Sequence, residues 1–372
     1  MSAHVARAVR GTAICLALLL SSVCAFGAPG AGDAPAPGAL SDNAPVVVRA
    51  AALTAQAQSA ATTDECLQTL DAARQLLEKF LREQPTHPDG PQAEMQLGIV
   101  LTTRGQQLVA KSKTTNEPAQ TANLVADARD TFRSAERSFS TAIERIRGLI
   151  EAFPTFIEAG DPALAQREAL KGSLLQVLIY QAAVVEELAA TFPPESSDYR
   201  DNYQAAADRY ERVYKDYRTL LVGLMARLRQ GQCYHRLGDT RRALGLYNDV
   251  LTQPADLEPL RRLRVTAMFM SLEGWTGEHE KMYELAFSQG EEYLTEQRPE
   301  EKAWPEWQAV QFYTAQGYRL AADALPPARA ADRDAWRTQA RAHLEPLMSS
   351  EGPYREDARR LAAAWESRDA GR

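Results

Sequence analysis

The side chains best suited to acid–base or metal chemistry in this chain are five histidines: His4, His87, His235, His279 and His343. They are scattered, and none has a partner at a metal-ligand spacing. No GxSxG elbow and no Gly-rich phosphate loop occurs. Acidic pairs such as Glu186–Glu187 and Glu291–Glu292 read as solvated helix faces. Two carboxylates divide into acid and base only when their separation and surroundings differ usefully, and nothing in the sequence points to that. Of four cysteines, Cys15 and Cys24 fall in a leader-like start. The remaining pair, Cys66 and Cys233, is too sparse for a disulfide framework. Cys233 lies beside an apolar helix face, where a thiol packs as a small hydrophobe. The residue types therefore argue against an enzyme, and no metal or cofactor is expected.

What the sequence does specify is helices. Leu224 to Leu257, LMARLRQGQCYHRLGDTRRALGLYNDVLTQPADL, contains two of them. Leu224, Leu228, Gly231 and Tyr234 recur at four and three, so they share one face. Gly238 supplies a left-handed stop, and Asp239 caps the next helix. Ala243, Leu246, Tyr247 and Val250 form the second stripe, which Pro254 ends. Gly231 and Ala243 carry no bulk beyond Cβ, so the two helices can approach closely. With Tyr234 and Tyr247 they fill the small and aromatic places of a tetratricopeptide repeat, and the segment resembles that family, a helix–turn–helix unit of about 34 residues. Ala206 and Tyr210 repeat Ala243 and Tyr247 at an offset of 37 positions.

Weaker units flank this one. Thr62 and Glu65 have capping-box spacing before a stripe of Leu67, Leu70, Ala73, Leu77 and Phe80, closed by Pro85 and Pro88. Met95, Leu97, Gly98 and Leu101 follow as a first helix, with Gly98 in the role of Gly231. Polar Lys111–Thr121 then interrupts, as a loop or an insertion, before a helix from about Ala122 to Phe153. Asp161 and Pro162 open a helix to Thr191 whose LLQVLIY core is apolar nearly all round. Tyr199–Leu221 carries a tyrosine stripe that reads as packing. Pro259–Leu272, a GWTG turn and a mate lined by Met282 to Tyr293 continue the pattern. Helices over Trp304–Leu325, Asp332–Met348 and Tyr354–Trp365 complete it, the last Arg-rich as a soluble terminal cap requires.

Before these helices, Arg7 and Arg10 precede an apolar run, Thr12–Val23, too short to suit a membrane span. Cleavage after Ala25 fits the small-residue rule. Val23 before Cys24 departs from a lipobox, so no lipid anchor is expected. The expected organisation is a signal peptide over 1–25, an Ala/Pro/Gly-rich linker over 26–61 with a poorly anchored helix near its end, and a helical repeat domain over 62–372. Export to a periplasm or cell envelope follows from the leader. The formal net charge of −7 argues against nucleic acid as a partner.

The resemblance implies an all-α, right-handed α-solenoid of stacked antiparallel helical hairpins. It also implies a non-catalytic scaffold that binds another protein or peptide. First-helix side chains one turn apart would line its groove: Gln92, Met95, Ile99 and Thr102 on one unit, Met225, Leu228, Gln232 and His235 on another. Family members that grip a C-terminal carboxylate use Lys, Asn and Arg at such places, and those types are absent here. Two alternatives stay open. One is an envelope assembly factor similar to the periplasmic tetratricopeptide proteins that help outer-membrane barrels assemble. The other is a ligand-binding or enzymatic α/α fold.

Overall fold

A computed structural model describes residues 45–369 except 255, 278 and 297. The leader and most of the expected linker lie outside the described residues. The described residues form α-helices and two short 3-10 turns, with no strand among them. They divide into two compact units that meet at residues 209 and 210.

The first unit contains α1 (Val46–Gln58), α2 (Thr63–Glu83), α3 (Gly90–Thr114), α4 (Pro118–Glu151) and α5 (Pro162–Ala189). Each helix packs on the next, and α3 also touches α1 and α5. That pattern of next and next-but-one contacts is what stacked hairpins produce. Helix α1 occupies the end of the expected linker and is anchored: Ala50, Thr54 and Ala57 are buried at helical spacing. Its Thr54 Oγ1 accepts from Gln96 Nε2 of α3 at 3.4 Å. Thr62 caps α2 by accepting from Glu65 N at 3.2 Å, while the Glu65 carboxylate accepts from Ala61 N.

Most of the polar Lys111–Thr121 stretch is helical rather than an inserted loop. Helix α3 runs to Thr114, and α4 opens at Pro118, where the missing N–H costs nothing. The long α3–α4 pair is held at close range. A Cβ on Gly105 would come within 2.5 Å of the Phe132 ring, and one on Gly98 would meet Phe139. The two glycines face the two phenylalanines in opposite order, which fixes an antiparallel register. Arg104 ties the layers further, donating to Asp71 of α2 at 3.0 Å and Thr131 of α4 at 2.9 Å.

A further helix, α6 (Ser197–Tyr217), carries the chain into the second unit. That unit goes on with α7 (Leu221–Arg236), α8 (Thr240–Leu251), α9 (Glu258–Thr276), α10 (Tyr283–Thr295), α11 (Pro305–Ala324), α12 (Ala330–Ser349) and α13 (Arg355–Asp369). Here too each first helix touches the next: α7 meets α9, and α9 meets α11. The expected GWTG turn is shorter than its sequence implies, because α9 continues through Gly274 and Trp275 to Thr276. Gly274 lies close to α8, where a Cβ would stand 3.2–3.3 Å from the side chains of Leu244 and Thr240. Ala206, Tyr210, Ala243 and Tyr247, the residues of the 37-position echo, are all fully buried.

Replacing Gly105 with leucine should overpack the α3–α4 contact and cost about 1–3 kcal/mol, read as a fall in Tm and in the denaturant midpoint. Gly148 has open space around its Cβ position. Gly148→Ala should therefore leave the chain as stable or raise Tm slightly.

Candidate interaction surface

The α7–α8 hairpin shows why one helix of each pair is buried and the other half-exposed. Helix α7 buries eleven of its sixteen residues, and α8 buries four of twelve. The first helix is sandwiched between its mate and α9, whereas the second presents one stripe inward. A Cβ on Gly231 would stand 2.5 Å from the fully buried Tyr247 ring. Gly238 turns the chain at φ 81°. Asp239 Oδ1 then accepts from Arg242 N at 3.1 Å, capping α8. The Arg242 guanidinium lies 3.8 Å above the Tyr234 ring and closes the turn from outside.

This sandwiching corrects the expected groove on α7. Met225, Leu228 and Gln232 are 6 %, 0 % and 2 % exposed, so they are interior rather than groove-facing. Gln232 is spent on internal bonds: its Nε2 donates to Met270 Sδ of α9 at 3.1 Å, and its Oε1 accepts from Arg229 at 2.8 Å. His235 is half-buried. Burial pushes its imidazole below the usual range; Glu273 opposes this and Arg236 adds to it. Glu273 is itself held by the Tyr313 hydroxyl, which donates to it at 2.9 Å.

The α3 set divides. Met95 is buried with the core. Thr102 is half-buried and turns its hydroxyl back onto Gly98 O at 2.8 Å. Gln92 is exposed and Ile99 half-exposed. Nearby, Glu94 pairs loosely with Arg145 at 3.9 Å; burial pushes its carboxyl up, and Arg145 partly offsets that.

One cluster has no local sequence pattern to announce it. Glu291 Oε1 of α10 accepts from Tyr318 Oη of α11 at 3.0 Å and lies 2.8 Å from His343 Nε2 of α12. The Tyr318 ring stacks on Phe287 at 4.1 Å, and Trp336 lies 5.3 Å from Phe287. Burial first, then Glu291, pushes the Tyr318 hydroxyl up, so it stays a donor. Tyr318 and His343 stand 27 and 52 residues from Glu291 in the chain, and only the packing of three helices unites the three groups. Their contacts tie α10 to α12 across α11. A similar tie joins α9 to the short 3-10 turn Pro299–Ala303 that leads into α11, where Arg261 meets buried Glu301 at 2.7 Å and Arg262 lies 4.4 Å over Trp304. Each such group is engaged in holding neighbouring helices together.

Comparison with known families agrees with this geometry. Residues 225–254, covering most of α7 and all of α8, match the tetratricopeptide repeat model. No curated protein matches the chain.

The depressed His235 pKa sets a sign for acid sensitivity. An unfolded imidazole titrates near about 6.5. As pH falls through that value the unfolded chain takes up a proton that folded His235 resists, so stability is lost on acidification until the lower folded pKa is passed. Tm should fall between about pH 7.5 and 5.5, and the fall should be shallower in His235→Gln.

Proposed function

We propose that this chain, which carries a tetratricopeptide repeat, is a non-catalytic scaffold of the cell envelope that binds another protein or peptide. The observation that carries it is the repeat at residues 225–254, set among successive hairpins with the same first-helix-to-first-helix contacts. A tetratricopeptide repeat is a protein-interaction unit, and partner binding is the coarsest function it implies. Support for export comes from Arg7, Arg10, the Thr12–Val23 run and the small residue at Ala25. Among the described residues, no helix is long and apolar enough to cross a membrane.

On α3 the surface open to a partner includes Gln92 and Ile99, one face of a helix whose other sides are packed. Several polar groups inside the second unit, Gln232, Glu273, Glu291 and His343 among them, make ties between helices, which supports binding rather than catalysis.

Two measurements test this. The exported protein should have an N-terminal mass beginning at Phe26, and full retention in the cytoplasm would sink the envelope reading. With partners captured from native envelope, Ile99→Arg should reduce recovery at least tenfold while Tm stays within about 1 °C. Leu228→Arg is the contrast, since an unpaired charge at a fully buried site should cost several kcal/mol and unfold the repeat. Equal recovery with Ile99→Arg would remove α3 from the binding surface.

A further inference from the structure

The exposed apolar side chains of the first unit are not spread over its surface. Among its described residues, the large apolar side chains that stand out to solvent are Val48, Leu149 and Phe156, exposed by 43 %, 42 % and 80 %. The interhelical contacts place all three at one end. Thr54 of α1 meets Gln96 of α3, so Val48 lies level with the first turn of α3. Glu94 and Gly90 of α3 meet Arg145 of α4, so Leu149 lies one turn past the start of α3. Phe156 follows in the connection to α5, with Phe153, Ile157 and Leu164 half-buried around it. The opposite end, formed by residues 59–62, 115–117 and 193–196, is polar and capped by its own side chains.

The apolar end is also the end at which the chain leading into α1 arrives. That chain contains an apolar run, Thr12–Val23, behind Arg7 and Arg10, with no acidic residue before Asp33. The connection that bears Phe156 is on balance its electrostatic complement: Glu151, Glu158 and Asp161 are exposed there, and the cation that reaches it, Arg167, donates to Pro154 O at 3.5 Å and lies 3.6 Å from Glu168. Reach is sufficient. The 23 residues from Val23 to Val46 can span up to roughly 75 Å, whereas α1 lies two helix-packing steps from α4, about 20 Å.

We propose that this end of the first unit is a docking face, and that its occupant before processing is the chain's own segment Arg7–Val23. The apolar run covers Leu149 and Phe156, and Arg7 and Arg10 face Glu151, Glu158 and Asp161. The inference rests on the exported reading only in that leader removal uncovers the face. The acidic surround favours a cationic apolar segment over an anionic lipid surface, which the same carboxylates repel.

The test uses the unprocessed full-length chain with a photocrosslinker, Phe156→benzoylphenylalanine, and peptide mapping by mass spectrometry. Crosslinks within one chain to residues 7–23 are expected. Their yield should fall at least fivefold in the triple variant Glu151→Lys, Glu158→Lys, Asp161→Lys, and recover when Arg7→Glu and Arg10→Glu are added. Circular dichroism confirms folding of each variant, and a second crosslinker at Leu149 should give the same map. Crosslinks confined to other chains or to added phosphatidylglycerol vesicles would overturn the proposal. So would a yield indifferent to charge reversal. Leader cleavage is read separately from the intact mass of the exported form: cleavage without the intramolecular crosslink defeats the docking face and leaves export standing, and the crosslink without cleavage does the reverse.

Discussion

Close approach of paired helices, made possible by glycine facing an aromatic ring, is the contact on which the rest of this structure depends. At Gly231 against Tyr247, and at Gly98 and Gly105 against Phe139 and Phe132, even one added carbon would lie inside the ring's van der Waals surface. The rings are nearly or fully buried, so they have little room to yield. Glycine also brings α10 and α11 together without a ring, where Gly290 meets Thr314 and Gly317 meets the backbone of α10. A glycine inside a helix loses about 1 kcal/mol of helix propensity relative to alanine. The aromatic contact area gained over the glycine backbone offsets that loss, and it sets both the spacing and the register of each hairpin.

Tight pairing has a consequence for the first helices. With a mate on one side and neighbouring first helices on others, α7 and α9 each bury eleven residues, including polar ones such as Gln230, Gln232 and Ser271. Buried polar groups are tolerable only when bonded. Many are bonded by local returns, as at Ser271 Oγ to Ala267 O, and by ties between helices, as at Gln232 to Met270 and Tyr313 to Glu273. Polar side chains that a sequence alone would offer to a ligand are thereby consumed by the fold.

This explains what was legible beforehand. Periodicity and caps gave the all-α class, the antiparallel hairpins, the turn at Gly238 and the caps at Thr62, Asp161 and Asp239, because all of these are local. The small places at Gly98 and Gly231 were legible too, but the rings they face were not, since Phe139 and Tyr247 stand 41 and 16 residues further along the chain. Helix ends were less legible: a polar stretch such as Lys111–Thr114 extends a helix once its neighbours support it, and α9 runs on through Gly274 and Trp275 to Thr276. The groove positions were the least legible. Family spacing assigned Met225, Leu228 and Gln232 to a surface, but exposure is a property of the assembled stack, and no pattern within α7 reports how many neighbours it has. The Glu291–Tyr318–His343 cluster was hidden for the same reason, as its members come from three helices.

Where first helices are buried, recognition moves to what the stack leaves open: the outer faces of single helices, and the ends where hairpins turn. Ends differ from faces in one respect. A connection between helices has backbone groups to satisfy, so it is ordinarily polar, as residues 115–117 and 193–196 are. Phe156, exposed by 80 % in such a connection, gives up about as much hydrophobic stabilisation as a core phenylalanine would supply. Nothing in the folding of the first unit requires that side chain to be apolar. An apolar residue that contributes little to the unit bearing it has its physical rationale in what it touches next, and the carboxylates around Phe156 specify the charge that neighbour must bring.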